Sequence, residues 1–241
     1  MNNIFKKSLI ASAILAASSL MAASAQAATS AELKITGKIT PPSCDLTLDS
    51  NGVVDFGSTA FNTLSVDGTK LAEKTVALNI TCEGLTRVGL AVVDNRASSN
   101  VTKASLNSAA WGSAATTVND AFIYGLGMAA GVDETPVPIG GVMIGFKSGV
   151  ATVDTSANSN VIYSTDKVTW SSDATLRQYL SPNYTYSFVK GTYGTGNVTP
   201  APLTTVSGNL SVVPTITRSA LLPTDDVIDF DGSATLSLVY L

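Results

Sequence analysis

The sequence predicts an all-β protein built as an antiparallel β-sandwich, and three features carry that expectation. Segments of alternating apolar and polar residues recur along the chain, and clusters of Gly, Asn, Asp, Ser and Pro separate them. Past the N-terminal leader, no segment combines helical apolar spacing with caps. Short strands with frequent turn signals are the pattern of a sandwich.

The leader comes first. Lys6 and Lys7 precede an uncharged apolar run from Leu9 to Ala23, and Ala25-Gln26-Ala27 has the small-x-small form of a cleavage site. The run is rich in Ala and Ser and shorter than the roughly 20 residues a spanning helix needs, so residues 1–27 read as a secretory signal peptide. Cleavage after Ala27 takes the 241-residue chain to 214, an exported chain with no further membrane candidate. We read residues 28–241 as a single domain. Its expected strands are Leu33–Ile39, Val76–Cys82, Val88–Val93, Tyr184–Val189, Leu203–Val213 and the C-terminal segment, all alternating or rich in Val, Thr and Tyr. Asp49-Ser50-Asn51-Gly52, Asp67-Gly68 and Gly194-Thr195-Gly196-Asn197 supply turns. Residues 97–177 have a different texture, small and polar, and are expected to elaborate the sandwich. Within them Val161–Tyr163 and Val168–Trp170 are placed to pair as a hairpin across Asp166-Lys167.

Composition removes several function classes. Without Lys6 and Lys7 the chain carries 12 basic and 18 acidic residues, a net −6, which makes nucleic acid and anionic membranes poor partners. There is no histidine. That removes Ser-His-Asp and Cys-His catalysis and every His-ligated metal site. Carboxylate chemistry is what remains, with four glutamates and two acid clusters, Asp133-Glu134 and Asp225-Asp226 with Asp229 and Asp231. A paired-carboxylate glycosidase has no positive support, and the second cluster lacks the spacing and closing glutamate of an EF-hand loop, which favours a solvated turn. The chain is read as no enzyme, with no cofactor and no metal. Trp111 and Trp170 are weighed between sugar stacking and packing, with packing favoured. Asp94-Asn95-Arg96 reads as a hydrogen-bonded corner rather than a ligand-contacting turn.

The two cysteines, Cys44 and Cys82, both lie in the exported part. In an oxidising compartment they are expected to form one disulfide, closing a loop of about 39 residues and contributing on the order of 4 kcal/mol in the chain-entropy model. A redox-active pair is the alternative; the spacing is far from Cys-x-x-Cys, and no Lys or His adjoins either thiol.

The chain stops in a strand. Ala234, Leu236, Leu238 and Tyr240 fall on one face of the last eight residues, and Thr235 and Ser237 on the other. This end, Leu33–Cys44 with its apolar-x-Gly-x-apolar core leading to the first cysteine, and Val54-Asp55-Phe56-Gly57 together resemble the pilin superfamily of chaperone-usher fimbriae. More narrowly, Asn79-Ile80-Thr81-Cys82, Asp94-Asn95-Arg96 and Val239-Tyr240-Leu241 are similar to a little-characterised family of fimbrial-like periplasmic proteins that carry a domain of unknown function.

The resemblance implies an immunoglobulin-like sandwich lacking its last strand, with an apolar groove beside the C-terminal strand. A periplasmic fimbrial chaperone and then a neighbouring subunit would each fill that groove, delivery passing through an outer-membrane usher; this is β-augmentation. The residues expected to contact the donor are Ala234, Leu236, Leu238, Tyr240 and Leu241. Only about five residues precede Leu33 after cleavage, so if Leu33–Ile39 is the first strand the chain accepts a donor and hardly gives one. The expected protein is a minor fimbrial subunit in the periplasm or at the cell surface. The alternatives are a free-standing periplasmic binding module and a tip adhesin that binds a ligand through residues 97–177.

Overall fold

The structure, a computed structural model, describes residues 30–40, 42–106, 119–172, 179–193, 197–224 and 226–241. The chain divides into two units, Met1–Thr40 and Pro41–Leu241. Within the first, residues 30–40 form no strand and are exposed throughout; Leu33 and Ile35 are 84% and 87% accessible. The strand expected over Leu33–Ile39 is therefore not formed. Alternation marks an amphipathic face, but a strand also needs a neighbour to accept its backbone groups, and this segment has none among the described residues.

The second unit is all-β, with no α-helix among its described residues. It opens with β1 (Cys44–Leu48), β2 (Thr69–Lys70), β3 (Lys74–Thr86) and β4 (Val88–Asp94). Residues 97–177 supply β5 (Tyr124–Gly125), β6 (Met128–Ala130), β7 (Pro136–Pro138), β8 (Gly140–Phe146), β9 (Val150–Val153), β10 (Ser156–Ser164) and β11 (Trp170–Ser171). The chain ends through β12 (Thr185–Phe188), β13 (Asn197–Val198), β14 (Leu203–Ile216) and β15 (Ala234–Tyr240). All pairing is antiparallel, and the main path runs β1-β3-β14-β9-β10-β12-β4-β15, with β6 and β7 as a separate ribbon.

Two layers result. β14 holds the first together, pairing β3 and β2 along one edge and β9 and β8 along the other. Pro214 lies in this long strand where its pairing passes from β2 to β3. Its carbonyl accepts from Leu71 N at 2.9 Å, just past the end of β2, and the reciprocal bond is the one its ring removes. β10 turns the corner between layers: Ser156–Asn160 pairs with β9, and Val161–Ser164 pairs with β12. β12, β4 and β15 complete the second layer. Leu78, Ile80, Leu90, Tyr186, Phe188 and Leu210 fill the interior, and Phe146 and Phe188 meet edge-to-face at 5.6 Å. This is a nearly closed, barrel-like sandwich. β8, β9 and β10 lie inside its main sheet, so much of the region expected to be an elaboration builds the framework.

The hairpin across Asp166-Lys167 is present, with Tyr163 opposite Ser171. Asp166 nucleates it by accepting from Val168 N and Thr169 N at 2.8 and 2.7 Å and from the Ser164 hydroxyl at 2.9 Å. The Thr169 and Val168 amides, followed by the Ser164 hydroxyl, hold the Asp166 carboxyl down at about 2. Trp170 packs with Ile162 and Val189 and is buried; Trp111 lies outside the described residues.

A second carboxylate locks the start of β14. The β3–β14 register shifts between Leu203 and Thr205, and Asp154, in the β9–β10 turn, accepts from Thr204 N, Thr205 N and the Thr204 hydroxyl at 2.8 to 2.9 Å. Lys190 Nζ lies 2.7 Å from its other oxygen. Partial desolvation opposes ionisation, but Lys190 and the threonine donors outweigh it and hold the carboxyl below its ordinary range. Folded-state values below the unfolded one mean that this stability is complete above about pH 4 and drains away as the pH falls through the folded values. Asp154→Ala strands two strand-end amides and is expected to cost about 2 kcal/mol at pH 7 by urea unfolding. The difference from the parent should shrink as the pH is lowered from 5 to about 2.

Candidate functional site: an apolar groove beside the last strand

The last strand is tied at both ends and open along one edge. Ala234 to Tyr240 pair with Asp94 to Val88 of β4, and on its other side β15 has no partner strand among the described residues. At its start stands the corner anticipated at Asp94-Asn95-Arg96. Asp94 accepts from Arg96 N at 2.8 Å and from Gly125 N at 3.1 Å. Asn95 Nδ2 donates to the hydroxyls of Ser233 and Thr235 at 3.0 and 2.9 Å, and Arg96 pairs with Asp231. Gly125 is required here because a Cβ would drive into the Arg96 carbonyl. At the far end, the Tyr240 hydroxyl accepts from Cys44 N at 2.9 Å, and Leu241 N donates to Arg87 O at 3.1 Å.

Cys44 begins β1, the opposite edge of the sheet path, and stands directly across from Cys82 on β3 with the disulfide between them. The bridge fastens an edge strand of five residues that has one ladder partner. Beyond β1 the chain runs unpaired through Val53–Gly57, with Val54 and Phe56 turned in and Val53 and Asp55 out. Ile228 and Phe230 alternate in the same way in the unpaired stretch before β15. Phe56 and Phe230 meet with ring centroids 6.4 Å apart, and Lys74 Nζ sits 5.3 Å over Phe56.

Between these two walls lies a groove of about 950 Å³. Its floor is the core face of the first layer, including Val76, Val142, Leu210, Val212 and Ile216, with Leu126 and Ile139 beside them. Four acidic residues, Asp55, Asp226, Asp229 and Asp231, stand along it. Of the five residues the sequence singled out, Ala234 and Leu236 line the groove. Leu238 is half-buried against the core, while Tyr240 and Leu241 lie beyond the groove and are largely exposed. Sequence reading missed the walls at 53–59 and 226–233, although the inward Val54 and Phe56 were visible as an alternating pair. Asp231, grouped with the acid cluster, serves as partner to Arg96. Among the described residues no cluster of Cys, Asp or Glu is arranged to hold a metal ion, and no helix is long and apolar enough to cross a membrane.

Fold and groove define a class: a disulfide-stapled, all-β sandwich whose end strands meet at one hydrogen bond and part over an apolar floor. Comparison with known proteins agrees with part of the sequence reading. Residues 33–148 match the family model of a protein of unknown function, DUF1120. The chain is similar to Protein GltF of Escherichia coli K12, 29% identical over 98% of this chain and 99% of that protein. It is also similar to the uncharacterized protein YhcF of the same strain, 28% identical over 87% of this chain and 89% of that protein.

If the corner anchors β15, Asn95→Ala combined with Arg96→Ala should speed amide exchange in Ala234–Val239 by at least about tenfold and leave the centre of β14 unchanged. Replacing both cysteines by serine should cost about 2–4 kcal/mol in urea unfolding.

Proposed function

We propose that this chain is a fimbrial-like interaction protein, a minor pilus subunit whose groove beside β15 accepts an extended strand from a periplasmic chaperone or a neighbouring subunit. The observation that carries the reading is the unpaired edge of β15 beside a long apolar groove. An extended guest satisfies both requirements at once: its backbone completes the ladder, and alternate side chains enter the floor. Left bare, such an edge is an aggregation hazard, which gives a chaperone its purpose. The immunoglobulin-like character of the sandwich, its delivery by an usher and its place in the periplasm or on a fimbria belong to the same proposal.

The sequence argument for a truncated donor rested on Leu33–Ile39 being the first strand. That segment is unpaired and exposed, so the argument no longer holds. Leu33, Ile35 and Ile39 alternate with Lys34, Thr36 and Lys38, which presents an apolar face on one side and two cations on the other. The acidic residues along the groove complement those lysines. The chain thus has the chemistry of a donor as well as of an acceptor. Each buried Leu or Ile would contribute about 2 kcal/mol.

A free-standing periplasmic module is the second reading, and the Cys44–Tyr240 hydrogen bond favours it by fastening the open seam at one end.

The test is export of the chain with and without a fimbrial chaperone, measuring yield and monomer state beside Leu236→Lys and a variant lacking Ser237–Leu241. Solubility that depends on the chaperone, with the complex lost in both variants, is the expected result. A stable monomer without the chaperone transfers the conclusion to the free-standing module. Under the donor reading, Ile35→Asp should abolish chain-to-chain association while the chaperone complex persists.

A further inference from the structure

A second concavity lies on the opposite, solvent face of the first layer, away from the groove. Its floor is set by register: Asn79 of β3, Ser207 of β14 and Thr152 of β9 stand side by side across three strands, and Asn209 stands opposite Ala77 in the next outward row. The β8–β9 turn, with Lys147, and the irregular start of β10, where the register shifts between Ser156 and Ser159 and Asn158 has φ 54°, form its rims. Together they enclose about 410 Å³, within the range of small-molecule sites.

The chemistry of this shelf is narrow. Asn79, Thr152, Ser207 and Asn209 each carry both hydrogen-bond donor and acceptor capacity, and none of these side chains is engaged in a hydrogen bond among the described residues. No aromatic or large aliphatic side chain is available for an apolar ligand, apart from Val150 at one side. No carboxylate lines it to hold a cation. Its one cation, Lys147, lies 3.5 Å from Glu73 and is partly neutralised against anions. Strands set outward side chains about 4.8 Å apart across the sheet and about 7 Å apart along it, a lattice of neutral donors and acceptors.

We propose that this shelf is a binding site for a neutral glycan, a ligand whose hydroxyls both donate and accept and carry no charge. It is independent of the strand-accepting groove and stands or falls separately from it. Without a stacking ring the affinity for one sugar is low, and the ordered backbone of three strands supplies the pre-organisation.

The experiment follows ¹⁵N amide and side-chain shifts of the folded full chain during titration with glucose, cellobiose, maltotriose and a sulfated disaccharide. The expected result is saturable shifts confined to β3, β9 and β14 around the shelf with a neutral sugar. Dissociation constants should rise about tenfold in Asn79→Ala with Asn209→Ala. Ser207→Arg, which fills the shelf from an exposed position, is a second variant and should abolish the shifts. A monosaccharide response equal to that of maltotriose assigns the site to free sugars, and a stronger maltotriose response assigns it to glycan chains. Absence of shifts with every neutral probe, shifts elsewhere on the surface, or preference for the sulfated probe that disappears in Lys147→Ala would each overturn the proposal.

Discussion

An antiparallel sheet that almost closes on itself must dispose of its two edges, and here they meet at one hydrogen bond, from Cys44 N to the Tyr240 hydroxyl. The rest of the architecture is arranged around that seam. The disulfide holds β1 to β3, the Asp94–Arg96 corner holds the beginning of β15, and β10 bends to carry the chain from one layer to the other. Away from Tyr240 the edges part, and the apolar floor between them is reached from outside.

Polar side chains in this molecule work chiefly as fasteners. Asp154 takes the amides left over by a register shift, Asp166 shapes a hairpin turn, and Asn95 reaches the two hydroxyls that flank Ala234. Each satisfies backbone or hydroxyl groups that an irregularity would otherwise leave unpaired, where the cost of an orphan exceeds the worth of an average bond. The buried Tyr186 hydroxyl is handled the same way, accepting from Ser181 N and donating to Tyr179 O. Burial pushes its ionisation upward, so it remains a neutral structural group.

The groove and the exposed N-terminal segment are two halves of one physical argument. Residues 53–57 and 227–231 have the inward alternation of strands without a ladder partner, and residues 33–39 alternate in sequence while every side chain stays exposed. Sequence alternation detects all three alike because it reports amphipathic faces. It carries no information about whether a neighbouring backbone exists.

Much of the framework was legible in the sequence. The strands at Val76–Cys82, Val88–Val93, Leu203–Val213 and the C-terminus, the Asp166 hairpin and the Asp94–Arg96 turn follow local pattern and turn chemistry, while the partners that complete that corner, Gly125, Asp231, Ser233 and Thr235, are distant in sequence. The single cysteine pair left one bridge to form. Tertiary structure decided what depends on distant partners. It left Leu33–Ile39 unpaired, drew β8, β9 and β10 into the main sheet, and placed Ala234 and Leu236 in the groove while leaving Tyr240 and Leu241 outside. Periodicity assigns a side chain to a face, but which strand lies beside it, and whether that face meets core or groove, is set by long-range pairing whose closure entropy and register no local window contains.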